Sequence, residues 1–307
     1  MILSTNETIR TNQLLHAITE VFPATVLRGG LPKDISSQNR EIVERLATAL
    51  GLIEQPKESM ATVTKSIGTS SRDYSSWTSH EADGDNGAIY SSGDDAIGEF
   101  YNDSVFDERL TINCGGTIGL NSLVYRSASG EGHDGTAGSG ARLVISSGSN
   151  ANVVDFAPSV KTTIEDFEIS GGGLLNRILI DFNGGTQDAT LQRLILHSVD
   201  GLATSEVAGI KKEDASALYT HNVIVYDLNN QNANRICYGL WDASASVRVC
   251  EFANCTVVDI TNSADNPDGI GIHFNNDNAA KKVQNCISMD SSGSDFGSNL
   301  TSGTEQY

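Results

Sequence analysis

Between residues 163 and 290 the hydrophobic and polar positions repeat one short strand five times, at 163–169, 190–196, 219–225, 251–257 and 282–288. The central residues, Asp166, Arg193, Asn222, Asn254 and Asn285, are 27, 29, 32 and 31 residues apart. One supersecondary unit recurring every roughly 20–50 residues marks a solenoid. Aligned, the repeats give apolar columns. Ile164, Leu191, Thr220, Phe252 and Val283 form one; Phe167, Leu194, Val223, Cys255 and Cys286 a second; Ile169, Leu196, Val225, Val257 and Ser288 a third. Second strands are expected at 177–182, 236–241 and 269–274. No helix lies between the units, so parallel strands must follow one another directly around a coil. About thirty residues with two or three short strands is one coil of a parallel β-helix. The Asn residues at the centre mark a bend, which Asn tolerates and where stacked amides can bond along the axis.

One column breaks the alternation. Glu168, Ile195, Ile224, Thr256 and Ile287 fall between inward positions and should face out. An outward apolar row asks for a cover, so Ile195, Ile224, Thr256 and Ile287 are the candidate contact between copies in a homo-oligomer.

The chain before the repeats differs in kind. Leu14, Leu15, Ile18, Val21 and Phe22 recur at helical spacing up to Pro23, and Ile42, Val43, Leu46, Ala49 and Leu50 do so up to Gly51. Two such short helices bury little alone. Residues 1–59 are therefore expected to be an α-helical docking or oligomerising module, with Leu14, Leu15, Ile18, Phe22, Ile42, Leu46 and Leu50 as its contact face. A linker at 54–59 leads to the β-helix domain, 60–307. That domain opens with a strand at 61–67 and a helix at 75–82 carrying Trp77, a lid for the open end. Short strands follow at 109–114, 122–126, 141–146 and 152–156. Residues 127–140 and 202–215 read as loops, and the polar end, 291–307, shows no closing cap. A solenoid normally needs one, so capping by another subunit or by further chain is expected.

Composition agrees with this outline. Thirty glycines and only 6 % aromatic residues suit many short strands and turns rather than a few long helices. The formal charge of −19 disfavours nucleic-acid binding. There is no apolar run of membrane-spanning length and no secretory leader, so neither membrane insertion nor classical export is expected. The five cysteines, Cys114, Cys237, Cys250, Cys255 and Cys286, are odd in number and not paired as CxxC. They read as small core hydrophobes.

The run Met60-Ala61-Thr62-Val63-Thr64-Lys65-Ser66-Ile67-Gly68, then Tyr74-Ser75-Ser76-Trp77, and the later Asn254-Cys255-Thr256-Val257-Val258 and Asn285-Cys286-Ile287-Ser288-Met289 resemble right-handed parallel β-helix proteins of the pectin-lyase-like class, of phage and environmental type. The resemblance covers about 60–300. It implies an all-β, right-handed single-stranded parallel β-helix behind the helical module, used in this class by polysaccharide lyases and hydrolases, phage tailspikes and fibres, and adhesins. The helical front and the absent leader point to a virion component. It would dock to other virion proteins through residues 1–57, form a homo-oligomer and present the β-helix outward, with host-surface polysaccharide as a possible partner. A tailspike-type polysaccharide-degrading enzyme is the alternative, and a bacterial surface adhesin the third.

Candidate chemistry is sparse. A glycosidase needs two carboxylates about 5–10 Å apart. Asp166 with Glu168 on one strand and Asp181 on the next face are the candidates, although an acidic chain yields such pairs by chance. Asp83, Asp85, Asp94 and Asp95 are the candidate metal ligands, with calcium the cation. They lack the glycine of an EF-hand loop. His197, Tyr226 and Asp227 could form a small polar site, and Trp241, Tyr238 and His273 could stack on sugars. The expectation is of no resident cofactor.

Overall fold

The computed structural model describes residues 61–298, except 86–88, 114–117, 147–150, 175–177, 186, 202–205, 214–215, 233, 246–247, 264–267 and 277–279. The helical module 1–59, with its docking residues and the linker, lies outside them, as do Cys114 and the last residues of the chain.

The described chain is a parallel β-solenoid of about six turns, 55 % strand and 4 % helix. The coils begin on a first ladder of β1 (Thr62–Ile67), β2 (Asp95–Phe100), β5 (Ser122–Ser127), β8 (Lys161–Leu174), β10 (Ala189–Gly201), β12 (Leu218–His221), β15 (Cys250–Ala253) and β18 (Lys281–Gln284), all paired in parallel. Past a bend the same sheet continues through β3 (Val105–Phe106), β6 (Arg142–Val144), the second halves of β8 and β10, β13 (Ile224–Asn230), β16 (Thr256–Asn262) and β19 (Ile287–Met289). A second sheet closes the opposite side: β4 (Leu110–Ile112), β7 (Val154–Phe156), β9 (Ile178–Phe182), β11 (Val207–Lys212), β14 (Cys237–Asp242), β17 (Gly269–Phe274) and β20 (Ser294–Ser298).

The expected columns are in register. Ile164, Leu191, Thr220, Phe252 and Val283 stand opposite one another coil after coil, and Ile169, Leu196, Val225, Val257 and Ser288 do the same. Equal positions land in equal places because each coil makes the same turn. The bend between the two halves is made by Asp166, Arg193, Asn222, Asn254 and Asn285, at φ between +51° and +59°. This left-handed conformation costs an L-residue about 1–2 kcal/mol, least for Asn and Asp. The Asn285 amide donates to Asn254 Oδ1 at 3.3 Å along the axis. Asn254 is exposed, so apart from this one hydrogen bond, which Val and Gly remove alike, a change there acts through the backbone. Asn254→Val is expected to cost about 1–2 kcal/mol and Asn254→Gly far less, measured by chemical denaturation. Equal loss in both variants would refute the conformational explanation.

A second bend was not foreseen. Ser198, Asp227, Asp259 and Asp290 are also left-handed, each five residues after the first bend. Between the bends the two sheets come close. A Cβ at Gly239 would meet Val257 Cγ1 at 2.3 Å, and this close approach requires glycine.

One sequence expectation needs correction. Residues 207–212 are not a protruding loop; they are β11, with all six residues buried. Lys211 and Lys212 disguised a strand whose two lysines are both buried, Lys212 on its inner side and Lys211 on its outer side. Within the polar end, β20 adds one more strand to the second sheet.

The expected lid is α1 (Trp77–Asp85). It sits in the first coil, packed against β4, where a second-sheet strand would otherwise stand. Glu108 accepts the Trp77 and Thr78 amides at 2.7 and 2.9 Å, satisfying two donors of the helix start. Trp77 is fully buried, with ring centroids 4.5 Å from Phe100, 4.8 Å from Tyr125 and 5.4 Å from Phe167, so it ties together three successive coils. His80 lies between the Tyr90 and Tyr125 hydroxyls, and burial pushes its imidazole down to about 4. Cys237, Cys250 and Cys255 are buried free thiols and Cys286 is half-buried, as core fillers should be. No helix among the described residues is long and apolar enough to cross a membrane.

Candidate functional site

The three candidate carboxylates do not converge. Asp166 occupies the first bend, where both its oxygens accept from Arg193, Nε to Oδ1 at 2.6 Å and Nη2 to Oδ2 at 2.9 Å; the same Nη2 reaches Glu165 at 2.7 Å. Glu168 lies past the bend, and Asp181 is on the second sheet.

Glu168 belongs to a different group. The 127–140 loop folds over it: the Gly138 N–H donates to Oε2 at 2.5 Å, and His133 Nε2 reaches the Arg193 carbonyl at 2.7 Å. On the next coil His197 Nε2 is 3.0 Å from Glu168 Oε1, while its Nδ1 is 2.8 Å from Ser198 Oγ, which donates to Asp227 Oδ2 at 2.9 Å. The Tyr226 ring stacks on His197, 4.9 Å away and 4° from parallel. Burial alone would raise the Glu168 carboxyl, but the His197 and Gly138 hydrogen bonds outweigh it and hold it below the ordinary value. The expected grouping of His197, Tyr226 and Asp227 is therefore present, enlarged by Glu168 and Ser198. Ser198 escaped notice because nothing marked it as a bend residue. With its partners engaged on both sides, the group is a closed hydrogen-bond chain that locks three coils together.

The second sheet carries the other polar row. Asp155, Asp181, Lys211, Trp241 and His273 are successive register partners on its outer side. Tyr238 stacks on Trp241 at 4.1 Å, and Lys211 Nζ lies 4.7 Å over the Trp241 ring. Trp241, Tyr238 and His273 lie on the strands expected at 236–241 and 269–274, and they share one face with Asp181. Asp155 was missed, since a lone Asp beside a turn carries no signal before the register is known. The Asn152 amide bridges the pair, donating to Asp155 Oδ1 at 2.8 Å and Asp181 Oδ2 at 2.7 Å. Asp181 Oδ1 is buried without a hydrogen-bond partner. Burial, with Glu213 nearby, pushes the Asp181 carboxyl up to about 6, and Lys211 only partly offsets this. Adjacent coils are about 4.8 Å apart. Asp155 and Asp181 are register partners on neighbouring coils, and a raised carboxyl such as Asp181 beside a second one is a candidate for general acid–base work. Access is the obstacle, because Asp181 is 5 % exposed, Lys211 6 %, Tyr238 5 % and Trp241 7 %.

The raised Asp181 has a stability consequence. Its folded value of about 6 exceeds the ordinary 3.8, so the folded state holds the proton more tightly. Its contribution is greatest below pH 4 and is lost as pH rises from about 4 to about 6. Asp181→Asn is expected to stabilise by about 1–2 kcal/mol at pH 8 and to make no difference near pH 4. Urea melts at both pH values check this; a variant no more stable than wild type at pH 8 would contradict it.

The candidate metal ligands are dispersed. Asp83 accepts from the Tyr74 hydroxyl at 3.0 Å; Asp94 accepts the Ser91 amide at 2.8 Å; Asp95 accepts from Asn121 and Ser122, both at 2.6 Å; Asp85 closes α1. Among the described residues no three His, Cys, Asp or Glu side chains are grouped to hold a metal ion.

The outward apolar column divides along its length. Glu168 and Ile195 are buried within the chain itself, so Ile195 offers nothing to a partner. Ile224 and Thr256 are half-buried, and Ile287 is 52 % exposed. Two residues on, Met289 is 43 % exposed and pairs with half-buried Val258. What remains is an apolar patch on the last coils. Comparison with protein-family models, with curated proteins and with solved structures finds no match to this chain.

Proposed function

We propose that the protein is a non-enzymatic structural component of a phage-like virion, a rigid β-solenoid stem whose copies associate side by side. The observation that carries this reading is the apolar patch of Ile224, Val258, Ile287 and Met289 on the outer face of β13, β16 and β19, which is only partly covered by the chain itself. Neighbouring large exposed apolar side chains are a contact surface in waiting. The interlocked carboxylates of the remaining outer face keep such a stem soluble at −19. Residues 1–57 would dock it to other virion proteins, and host-surface polysaccharide is the partner for the outward end. Native mass spectrometry tests the association. A homo-oligomer is expected, reduced to single chains by Ile287→Asp with Met289→Asp; a wild-type mass equal to one chain overturns the reading.

The Asp155–Asp181 pair favours a second reading, a polysaccharide hydrolase with Asp181 as general acid. It requires the second sheet's outer side to open to a sugar. Reducing-sugar release from host polysaccharide that disappears in Asp181→Asn would establish it in place of the first.

A further inference from the structure

The interior of the last coils holds an ionic group that neither reading uses. Asp242 ends β14 and is fully buried. Lys212 ends β11 and stands opposite it in register, also fully buried. Lys281 opens β18, opposite Cys250, with its side chain 1 % exposed. Lys281 Nζ is in direct contact with Asp242 Oδ2. The other oxygen, Oδ1, accepts the Ser244 N–H at 3.0 Å and the Ser244 hydroxyl at 2.5 Å. Lys212 Nζ is 3.0 Å from Ser244 Oγ and 4.0 Å from Oδ1, and Lys281 Nζ is 3.4 Å from Ser244 Oγ. The flanking register partners Phe274 and Cys250 are 2 % and 0 % exposed.

We propose that this group is a modification site at which Lys281 and Asp242 condense to a side-chain amide, an isopeptide bond between non-consecutive coils. Separated charges in a dry interior are costly to bury, even when paired. Condensation removes the Lys281 and Asp242 charges and expels one water, leaving Lys212 facing the amide oxygen and hydrogen-bonded to Ser244. The step balances without any co-reactant. The Lys281 ammonium passes one proton to the touching Oδ2. The freed nitrogen lone pair attacks Cγ, and the carbonyl electrons move onto Oδ1. A second proton then passes from the nitrogen to Oδ2. The Cγ–Oδ2 bond breaks with its electron pair, water leaves, and Oδ1 becomes the amide carbonyl.

The surroundings fit each stage. Negative charge develops on Oδ1, the oxygen that already takes two hydrogen bonds from Ser244 and faces the Lys212 cation, which is the arrangement of an oxyanion hole. The nucleophile and its target are held in contact by two strands, so little entropy remains to be lost. Lys212 and Ser244 act as positioning and charge-stabilising residues, and Lys281 and Asp242 are the reactants.

Tryptic mapping of the full chain after denaturation decides the matter. Trypsin does not cut after an acylated lysine, so peptide 236–248 should appear joined to 249–282 through Lys281. The branched species should be lighter by one water than the two peptides together, and intact wild-type protein should show the same deficit. Lys281→Met should restore the full sequence mass, and Ser244→Ala should slow the appearance of the deficit after synthesis by tenfold or more. Recovery of 236–248 and 249–281 only as separate linear peptides from wild-type protein overturns the proposal, with no need for any variant to fold. A water deficit persisting in Lys281→Met overturns it as well, since that would place the dehydration elsewhere.

Discussion

Trp77→Ala is expected to cost about 3–5 kcal/mol, the range for removing a fully buried aromatic side chain and leaving a cavity. The effect should be local before it is global. Trp77 packs on Phe100, Tyr125 and Phe167 from three successive coils, and α1 occupies the place of a strand in the first coil. A solenoid's stability is a sum of coil and neighbour contributions, so loss of an end piece unravels from that end. Hydrogen exchange should therefore rise sharply in β1 and β2 while β14 and β17 keep their protection. If protection fell evenly along the chain, or stability changed by less than about 1 kcal/mol, α1 would not be the lid described.

Asp242→Ala should be comparably severe, about 3–5 kcal/mol, because it leaves Lys281 and Lys212 in the interior without the Asp242 side chain that both approach, and removes the acceptor of Ser244. Here the loss belongs to the far end. Exchange protection should collapse in β17 and β18 and persist in β1 and β2. Asp242→Asn, which keeps the shape and an oxygen for Ser244, should lose less. Protection of β17 and β18 unchanged in Asp242→Ala would show that the cluster contributes nothing to the fold.

The coil architecture was legible because parallel stacking repeats each position in space, so apolar columns survive as a period in the chain. Ile164, Leu191 and Phe252 could be placed inside, and the left-handed Asn222, Asn254 and Asn285 at a bend, from alignment of the chain with itself. What stayed hidden had no such echo. Lys211 and Lys212 made β11 look like a loop, since a buried lysine and a solvated one have the same letter. Asp155 acquires a meaning only when register sets it beside Asp181, which comes 26 residues later. At the second bend Asp227, Asp259 and Asp290 repeat one residue type, but Ser198 breaks the run. Asp166 and Glu168 have different surroundings for a related reason: proximity along a strand says nothing about where the chain bends, and Asp166 forms the bend while Glu168 lies past it.

The two bends have a consequence for how such a chain can change length. In four consecutive coils the second bend follows the first by five residues, although the coils themselves repeat at unequal intervals. The segment between bends therefore works as a gauge block. One added residue there would swap inward for outward positions in every residue up to the next bend. All tolerance for insertion is thereby confined to the connections outside the gauge, and grafted peptides should be accepted there and rejected within it.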